Sequence, residues 1–177
     1  MLLRTILAAT DGSDQAAKAV QIASDLAVRN GASLVIAHVI NEDESLDALR
    51  RFAEAEHLSM AQISPRRILS IEATPHGPVP VQVGEQTAVD VSAARREIGQ
   101  RVLREAQALA QERGADVVDC LLSEGDAAEQ IVDEARDRGA DAIVLGSRGL
   151  GKIKSAVVGS VSKKVCDRAE CTSITVN

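Results

Sequence analysis

The residues best suited to chemistry lie near the C-terminus, in Gly146-Ser-Arg-Gly149-Leu-Gly151-Lys-Ile-Lys-Ser-Ala-Val-Val-Gly159-Ser160. An apolar run precedes this stretch and a helical pattern follows it, an order that suits an anion. Glycines let the main chain approach a ligand closely and turn its N–H groups toward it. Gly159 and Ser160 open a helix whose N-terminus carries partial positive charge and unpaired donors. Ser147 and Ser160 add hydroxyls, and Arg148, Lys152 and Lys154 raise the local positive potential. The same glycines would equally serve a connection that only turns the chain. The GxxxxGK[ST] order of an ordinary P-loop is absent, and no GxGxxG follows the first strand, which weakens a dinucleotide reading.

Other chemical groups are scattered. His38, His57 and His76 are too far apart for a metal cluster at obvious ligand spacing. His38 reads as a strand-end residue, His57 as a solvated helix face and His76 as part of a turn. No GxSxG elbow and no HExxH pair occurs. The HxGH element of nucleotidylyl transferases is missing near the first strand. Arg101 and Glu105 stand at i,i+4 and read as a solvated helix face.

The elements that must position the glycine loop are marked by three similar junctions. Arg29-Asn-Gly31, Arg113-Gly114 and Arg138-Gly139 each lead into an apolar run. Basic residues suit a helix C-terminus, and a following glycine can take the left-handed position that closes it. Helices and strands therefore alternate, which implies parallel strands joined by crossover helices. Strands are expected at Leu2 to Ala9, Ala32 to Ile40, Val117 to Leu122, Ala142 to Gly146 and Thr172 to Val176. Helices are expected at about Asp14 to Asn30, Val91 to Arg113, Asp126 to Arg138 and Ser160 to Ala169. In the first of these, Ala19, Ile22, Ala23 and Leu26 repeat at helical spacing and Ser13 is a candidate N-cap. The fold class is α/β: a five-stranded parallel open sheet with flanking helices, Rossmann-like or flavodoxin-like. Ligands of such sheets sit beyond the carboxyl ends of the strands, where the strand order reverses.

Residues 41 to 90 interrupt the pattern of this single domain. Glu42 to Gln62 looks helical. Pro65, Pro75, Pro78 and Pro80 then exclude a regular helix, and Val79 to Val83 alternates as a small ribbon would.

Composition narrows the partners. At 177 residues with 45% hydrophobic side chains, the chain can bury a proper core. Its formal charge of -6 is a poor match for a nucleic-acid backbone. Phe52 is the only aromatic side chain, so no platform exists on which bases could stack. A bound base must lie against aliphatic groups and be read by main-chain hydrogen bonds. Cys120, Cys166 and Cys171 are odd in number and sparse, which fits a reducing compartment. No signal peptide and no membrane-length apolar stretch is seen, so a cytoplasmic location without membrane insertion is expected.

Gly146-x2-Gly149-x9-Gly159-Ser160 resembles the ATP-binding signature of the universal stress protein family, G-2x-G-9x-G-[S/T]. Thr10-Asp11-Gly12-Ser13, Ala37-His38-Val39-Ile40 and Gly139-Ala-Asp141-Ala-Ile-Val-Leu also match that family in their order along the chain. The resemblance covers about residues 2–40 and 97–176. It implies a fold of the adenine-nucleotide-alpha-hydrolase kind and ATP, ADP or AMP as ligand. In that reading Thr10 and Asp11 lie near the ribose and phosphates, and Asp11 could hold a ribose hydroxyl or a phosphate-bridging Mg2+. Val39 reads adenine through its main chain, and Gly125 with Asp126 forms a turn beside the nucleotide. Gly146, Ser147, Gly149, Gly159 and Ser160 bind phosphate, with a weaker role for Arg148. The resemblance also implies a homodimer through Thr172–Val176. Thr172 departs from the family, which often has Pro there after a Cys equivalent to Cys171.

The leading expectation is a nucleotide-binding stress or signalling protein in which nucleotide biases conformation or partners. Phosphate holders are present, but no convincing base to activate water is, so any hydrolysis should be slow. A slow ATPase, or autophosphorylation on Ser147, Ser155 or Ser160, is the enzymatic alternative. A non-catalytic dimeric interaction module is the third.

Overall fold

A computed structural model describes residues 2–40, 70–74, 77–81, 91–149 and 159–177. The chain divides into two compact units. One comprises Met1–Asp43 with Arg96–Asn177, and the other comprises Glu44–Arg95.

The first unit is built on β1 (Thr5–Ala9), β2 (Ser33–Ile40), β5 (Val117–Glu124), β6 (Ala142–Gly146) and β7 (Thr172–Val176). Their order is β5-β2-β1-β6-β7 and every pairing is parallel. β1 therefore lies between β2 and β6, and the winding direction reverses there. A crevice opens beyond Ala9 and Gly146, where open α/β sheets take their ligands.

Among the described residues four helices cover the sheet: α1 (Asp14–Asn30), α2 (Val91–Glu112), α3 (Ala127–Asp137) and α4 (Ser160–Arg168). Ala19, Val20, Ala23 and Ala27 of α1, with Leu103, Ala106 and Ala110 of α2, pack on one face against Ile6, Ala8, Leu34, Ile36 and Val144. Ala128, Ile131, Val132 and Ala135 of α3, with Val165 of α4, pack on the other face against Leu7, Ala9, Val35, Ala37, Ile143 and Leu145. Burial on both faces explains why β1, β2 and β6 read as apolar runs without alternation.

The three junctions behave as their sequence implies. Gly31, Gly114 and Gly139 take φ values of 62°, 81° and 57°, the left-handed conformation that closes a helix before a strand. Ser13 caps α1 by accepting the Ala16 N–H. The third strand of the sheet, β5, extends past Leu122 to Glu124, because pairing with β2 continues to Ile40 opposite Glu124. Thr172 leaves β7 intact. Its N–H donates to the Asp141 carbonyl at 3.2 Å, a bond that proline could not make.

The second unit contains an antiparallel hairpin of β3 (Ser70–Thr74) and β4 (Gly77–Val81). The expected ribbon thus exists but begins earlier than Val79. Pro78 and Pro80 alternate along β4, so both missing N–H groups fall on one edge of the strand and the other edge can pair. The helix expected over Glu42–Gln62 lies outside the described residues.

Candidate functional site

The carboxyl end of β1 carries a nested turn. The Thr10 N–H closes the β1–β2 ladder on the Ala37 carbonyl at 2.9 Å. Thr10 Oγ1 accepts the Gly12 N–H, Asp11 Oδ1 accepts the Ser13 N–H and Ser13 Oγ accepts the Ala16 N–H. Short polar side chains make such local bonds readily, and here they hand the chain from strand to helix. Asp11 Oδ2 lies beside Gly149. A Cβ on Gly149 would collide with that oxygen. A side chain at Gly149 would therefore press on the Asp11 carboxylate, beside the loop expected to hold phosphate.

β2 outlasts β1, and this decides what Val39 can do. Main-chain groups in a strand point alternately to its two neighbours. Ser33 donates to Arg4 and Ala37 accepts from Thr10, so the odd-numbered residues of β2 face β1. Ile40 faces β5, because its carbonyl accepts the Gly125 N–H at 3.1 Å. The Val39 N–H and C=O therefore point past the end of β1 into the crevice, where no described residue bonds to them. One donor and one acceptor side by side is the pattern needed to read the edge of a purine.

Gly125 and Asp126 join β5 to α3. Asp126 caps α3 by accepting the Ala128 and Glu129 N–H groups, and its other oxygen accepts Lys164 Nζ of α4 at 2.9 Å. The Lys164 bond first, and the Glu129 N–H second, hold the exposed Asp126 carboxyl below its ordinary range. This pair ties the turn after β5 to the helix that follows the glycine loop.

Around the loop, a Cβ on Gly146 would lie 3.0 Å from the Arg148 carbonyl and 3.3 Å from the Ala16 nitrogen, so this glycine admits the first turn of α1. The Ser147 N–H donates to the Val176 carbonyl at 2.7 Å, and the Ser147 carbonyl accepts the Gly159 N–H at 2.6 Å. These bonds fix both ends of the loop, although its middle, including Lys152, Lys154 and Ser155, lies outside the described residues. Ser147 is 2% exposed, and its hydroxyl has no partner among the described residues. A buried hydroxyl left unpaired costs about 1–3 kcal/mol, which folding alone gives no reason to bear. α4 begins at Ser160 after Gly159 with no side-chain cap and no acid in its first turn. Its leading N–H groups are open to an anion.

The structure thus brings Thr10, Asp11, Gly146, Ser147, Gly149, Gly159 and Ser160 to the end of β1 and β6, with Val39 and Gly125 at the end of β2. Arg148 is exposed, and its side chain is drawn to no described partner. Three contributors escaped the sequence. Ser162 Oγ reaches the Ser147 and Gly159 carbonyls, each at 3.0 Å, and locks the loop base. Its place three residues after Gly159, on the inner face of α4, was the available signal. Lys164 pairs with Asp126 across 38 positions and left no signal. His38, read as a plain strand-end residue, bonds the Thr10 carbonyl through Nδ1 at 2.8 Å.

Burial pushes the Cys120 and Cys171 thiols up, which keeps them protonated, and all three cysteines are free. Among the described residues no cluster of His, Cys, Asp or Glu could hold a metal by itself, and no helix is long and apolar enough to cross a membrane.

Known proteins agree with this frame. The sequence profile of the universal stress protein family matches residues 3–177. A universal stress protein of Thermus aquaticus, named for its place in the QAH/OAS sulfhydrylase 3' region, is 31% identical over 175 residues, with 99% of each chain covered. The solved structure of universal stress protein UspA from Lactobacillus plantarum superposes with a TM-score of 0.69 at 21% identity, covering 100% of this chain and 99% of that one. A universal stress protein solved in complex with cAMP superposes with a TM-score of 0.61 at 22% identity, covering 100% of this chain and 98% of that one. The chain belongs to the universal stress protein family.

Proposed function

We propose that the protein binds one adenine nucleotide, ATP with Mg2+, in the crevice beyond β1 and β6, and that occupancy switches its conformation or its partners in a stress response. The observation that carries this reading is the pair of unclaimed Val39 main-chain groups at one end of the crevice. The buried, unpaired Ser147 hydroxyl and the uncapped start of α4 stand at the other. A purine edge fits the first and a phosphate fits the second. The solved relative that holds cAMP supports the same ligand class.

In this assignment the Val39 N–H and C=O read adenine, and Asp11 Oδ2 meets the ribose or a metal carried by the phosphates. Ser147, Gly159 and Ser160 hold phosphate oxygens. Asp11 would help hold Mg2+, which would neutralise phosphate charge; among the described residues no group of three or more His, Cys, Asp or Glu could hold it alone. The chemistry is holding rather than cleaving. Asp11 already accepts the Ser13 N–H, and the described residues beside it, glycines and hydroxyls, suit holding phosphate rather than activating water. Phosphate release should therefore be close to the buffer rate. We place the protein in the cytoplasm, on the sparse free cysteines, and pair two copies through the open edge of β7.

The test is chromatography of the supernatant after denaturing the purified protein. The chain has no Trp and no Tyr, so a nucleobase band stands out in its ultraviolet spectrum. An adenine nucleotide at about one per chain is expected. A protein that carries none, and takes up none from added ATP and magnesium, would overturn the reading.

A further inference from the structure

We infer that His38 is a positioning residue: its ring holds the Thr10 carbonyl and so sets the peptide that aims Asp11. Where Asp11 serves nucleotide, this rests on the reading above. The geometric part stands independently of it.

A parallel ladder continued by one rung would bring the Val39 N–H to the Thr10 carbonyl. The chain instead leaves the sheet at Thr10, whose N–H makes the last bond to Ala37. Its carbonyl is then left at the head of the crevice, and the His38 Nδ1, 2.8 Å away, takes it. A carbonyl oxygen only accepts, so the ring must carry its hydrogen on Nδ1. The bond has two consequences. The peptide between Thr10 and Asp11 is held from both ends of Thr10, by Ala37 on its N–H and by His38 on its carbonyl. The Val39 N–H, relieved of that carbonyl, remains available to the crevice.

The packing around the ring shows that its place is specified. Gly99 sits buried inside α2, where glycine is a poor helix former. A Cβ there would lie 3.0 Å from His38 Cδ2 and 2.6 Å from Leu122 Cδ1. The leucine tip could swing aside. The imidazole, pinned to the Thr10 carbonyl, could not move without giving up its bond. Gly99 is thus a notch that admits the ring, and His38 with Gly99 forms one device in which α2 and β2 together fix the turn after β1.

The experiment compares wild type, His38→Phe and His38→Asn. Phe keeps a ring and loses the donor, whereas the Asn amide nitrogen can take the Nδ1 position. In long-range 1H–15N spectra of the wild type, the His38 signal, identified by its loss in the variants, should be the Nδ1–H tautomer. His38→Phe should speed hydrogen exchange at the Gly12 and Ser13 amides and weaken adenine-nucleotide binding about five- to tenfold, the effect of one neutral hydrogen bond. His38→Asn should recover most of both. An Nε2–H tautomer, or unchanged exchange at Gly12 and Ser13 in folded His38→Phe, would overturn the inference. A wild type that binds no nucleotide would defeat the functional reading alone, because the tautomer and the exchange rates still decide this one. If His38→Phe fails to fold, the tautomer of the wild type decides it.

Discussion

The two ends of the sheet treat their polar groups in opposite ways. At the amino end, the Asp141 carboxylate accepts the Arg4 and Thr5 N–H groups at 2.7 and 3.0 Å through one oxygen. The Asp141 N–H returns to the Thr5 carbonyl, and the Asp141 carbonyl accepts from Thr172. Ser33 and Leu34 bond the Arg4 and Asp116 carbonyls. The start of every strand is tied to a neighbour in this way. The exception near this end is the buried Ser173 hydroxyl of β7, which has no partner among the described residues. At the carboxyl end, the Val39 peptide groups, the Ser147 hydroxyl and the start of α4 are held in place without partners among the described residues. Satisfied groups stabilise a fold, whereas unsatisfied groups that the fold nevertheless positions prepare it for a ligand. Each end has its aspartate. Asp141 accepts two main-chain N–H groups from the start of β1, while Asp11 accepts the Ser13 N–H and sets its other oxygen beside Gly149.

If that contrast is correct, damage at the carboxyl end should cost affinity, and damage at the amino end should cost stability. The largest effect is expected for Gly149→Val. The added side chain would drive against the Asp11 carboxylate and displace it from the crevice. Nucleotide affinity measured by titration calorimetry should fall roughly 100-fold or more, about 3 kcal/mol, with the melting temperature little changed. A folded Gly149→Val that binds as wild type would mean that the loop only turns the chain. Ser147→Ala should come next. It removes a hydroxyl that the fold leaves unpaired, so stability should hold or rise slightly while affinity falls about tenfold. A loss of stability with unchanged affinity would place Ser147 on the structural side of the contrast.

The amino end should answer to pH. The Arg4 N–H first, then the Thr5 N–H, hold the Asp141 carboxyl below its ordinary value of 3.8. A carboxyl whose folded value lies below its unfolded one stabilises the fold at every pH above the unfolded value. That contribution is lost as pH falls through the folded value. Asp141→Asn keeps an acceptor for both N–H groups and removes the charge. It should lower the melting temperature by a few degrees at neutral pH and flatten the loss of stability as the pH falls below the ordinary carboxyl value, with nucleotide affinity untouched. A melting curve as steep in acid as that of wild type would shift the acid response to other carboxylates.

Much of this was legible in the sequence, because the signals were local. The left-handed glycines after α1, α2 and α3 and the Ser13 cap are each set within a few residues of chain. The continuous apolar runs of β1, β2 and β6 report burial on both faces and so a parallel sheet. The candidate site was legible where it is a spaced motif, as in Gly146 to Ser160, or a turn, as in Thr10 to Ser13. It was illegible where it depends on strand register. That Val39 faces the crevice follows from β2 outlasting β1, and neither run announces its partner. His38 looked unremarkable for the same reason, since only the parallel pairing brings it under the Thr10 carbonyl. That the Asp11 carboxylate lies beside Gly149 was likewise illegible, because a glycine pattern shows that volume is excluded and not which group excludes it. Lys164 and Asp126 meet through the packing of α3 on α4, which no periodicity encodes.

The smallest effect is expected from the largest change. Residues 41–90, which include the β3–β4 hairpin, follow Ile40 at the carboxyl end of β2 and precede α2. The groups that form the contrast between the two ends all lie in the unit comprising Met1–Asp43 and Arg96–Asn177. Among the described residues, both buried clusters draw on that unit. Deleting residues 64–88 should therefore leave a cooperatively melting sheet domain, with nucleotide affinity within about twofold of wild type. The entropy of closing a connection depends only weakly on its length, so a shorter link between β2 and α2 imposes little penalty. Global unfolding of the shortened chain would move the boundary of the core into the excursion. A folded product that has lost affinity would be more informative. It would show that the carboxyl end is completed by the excursion and that the groups it leaves unsatisfied are shared with residues 64–88.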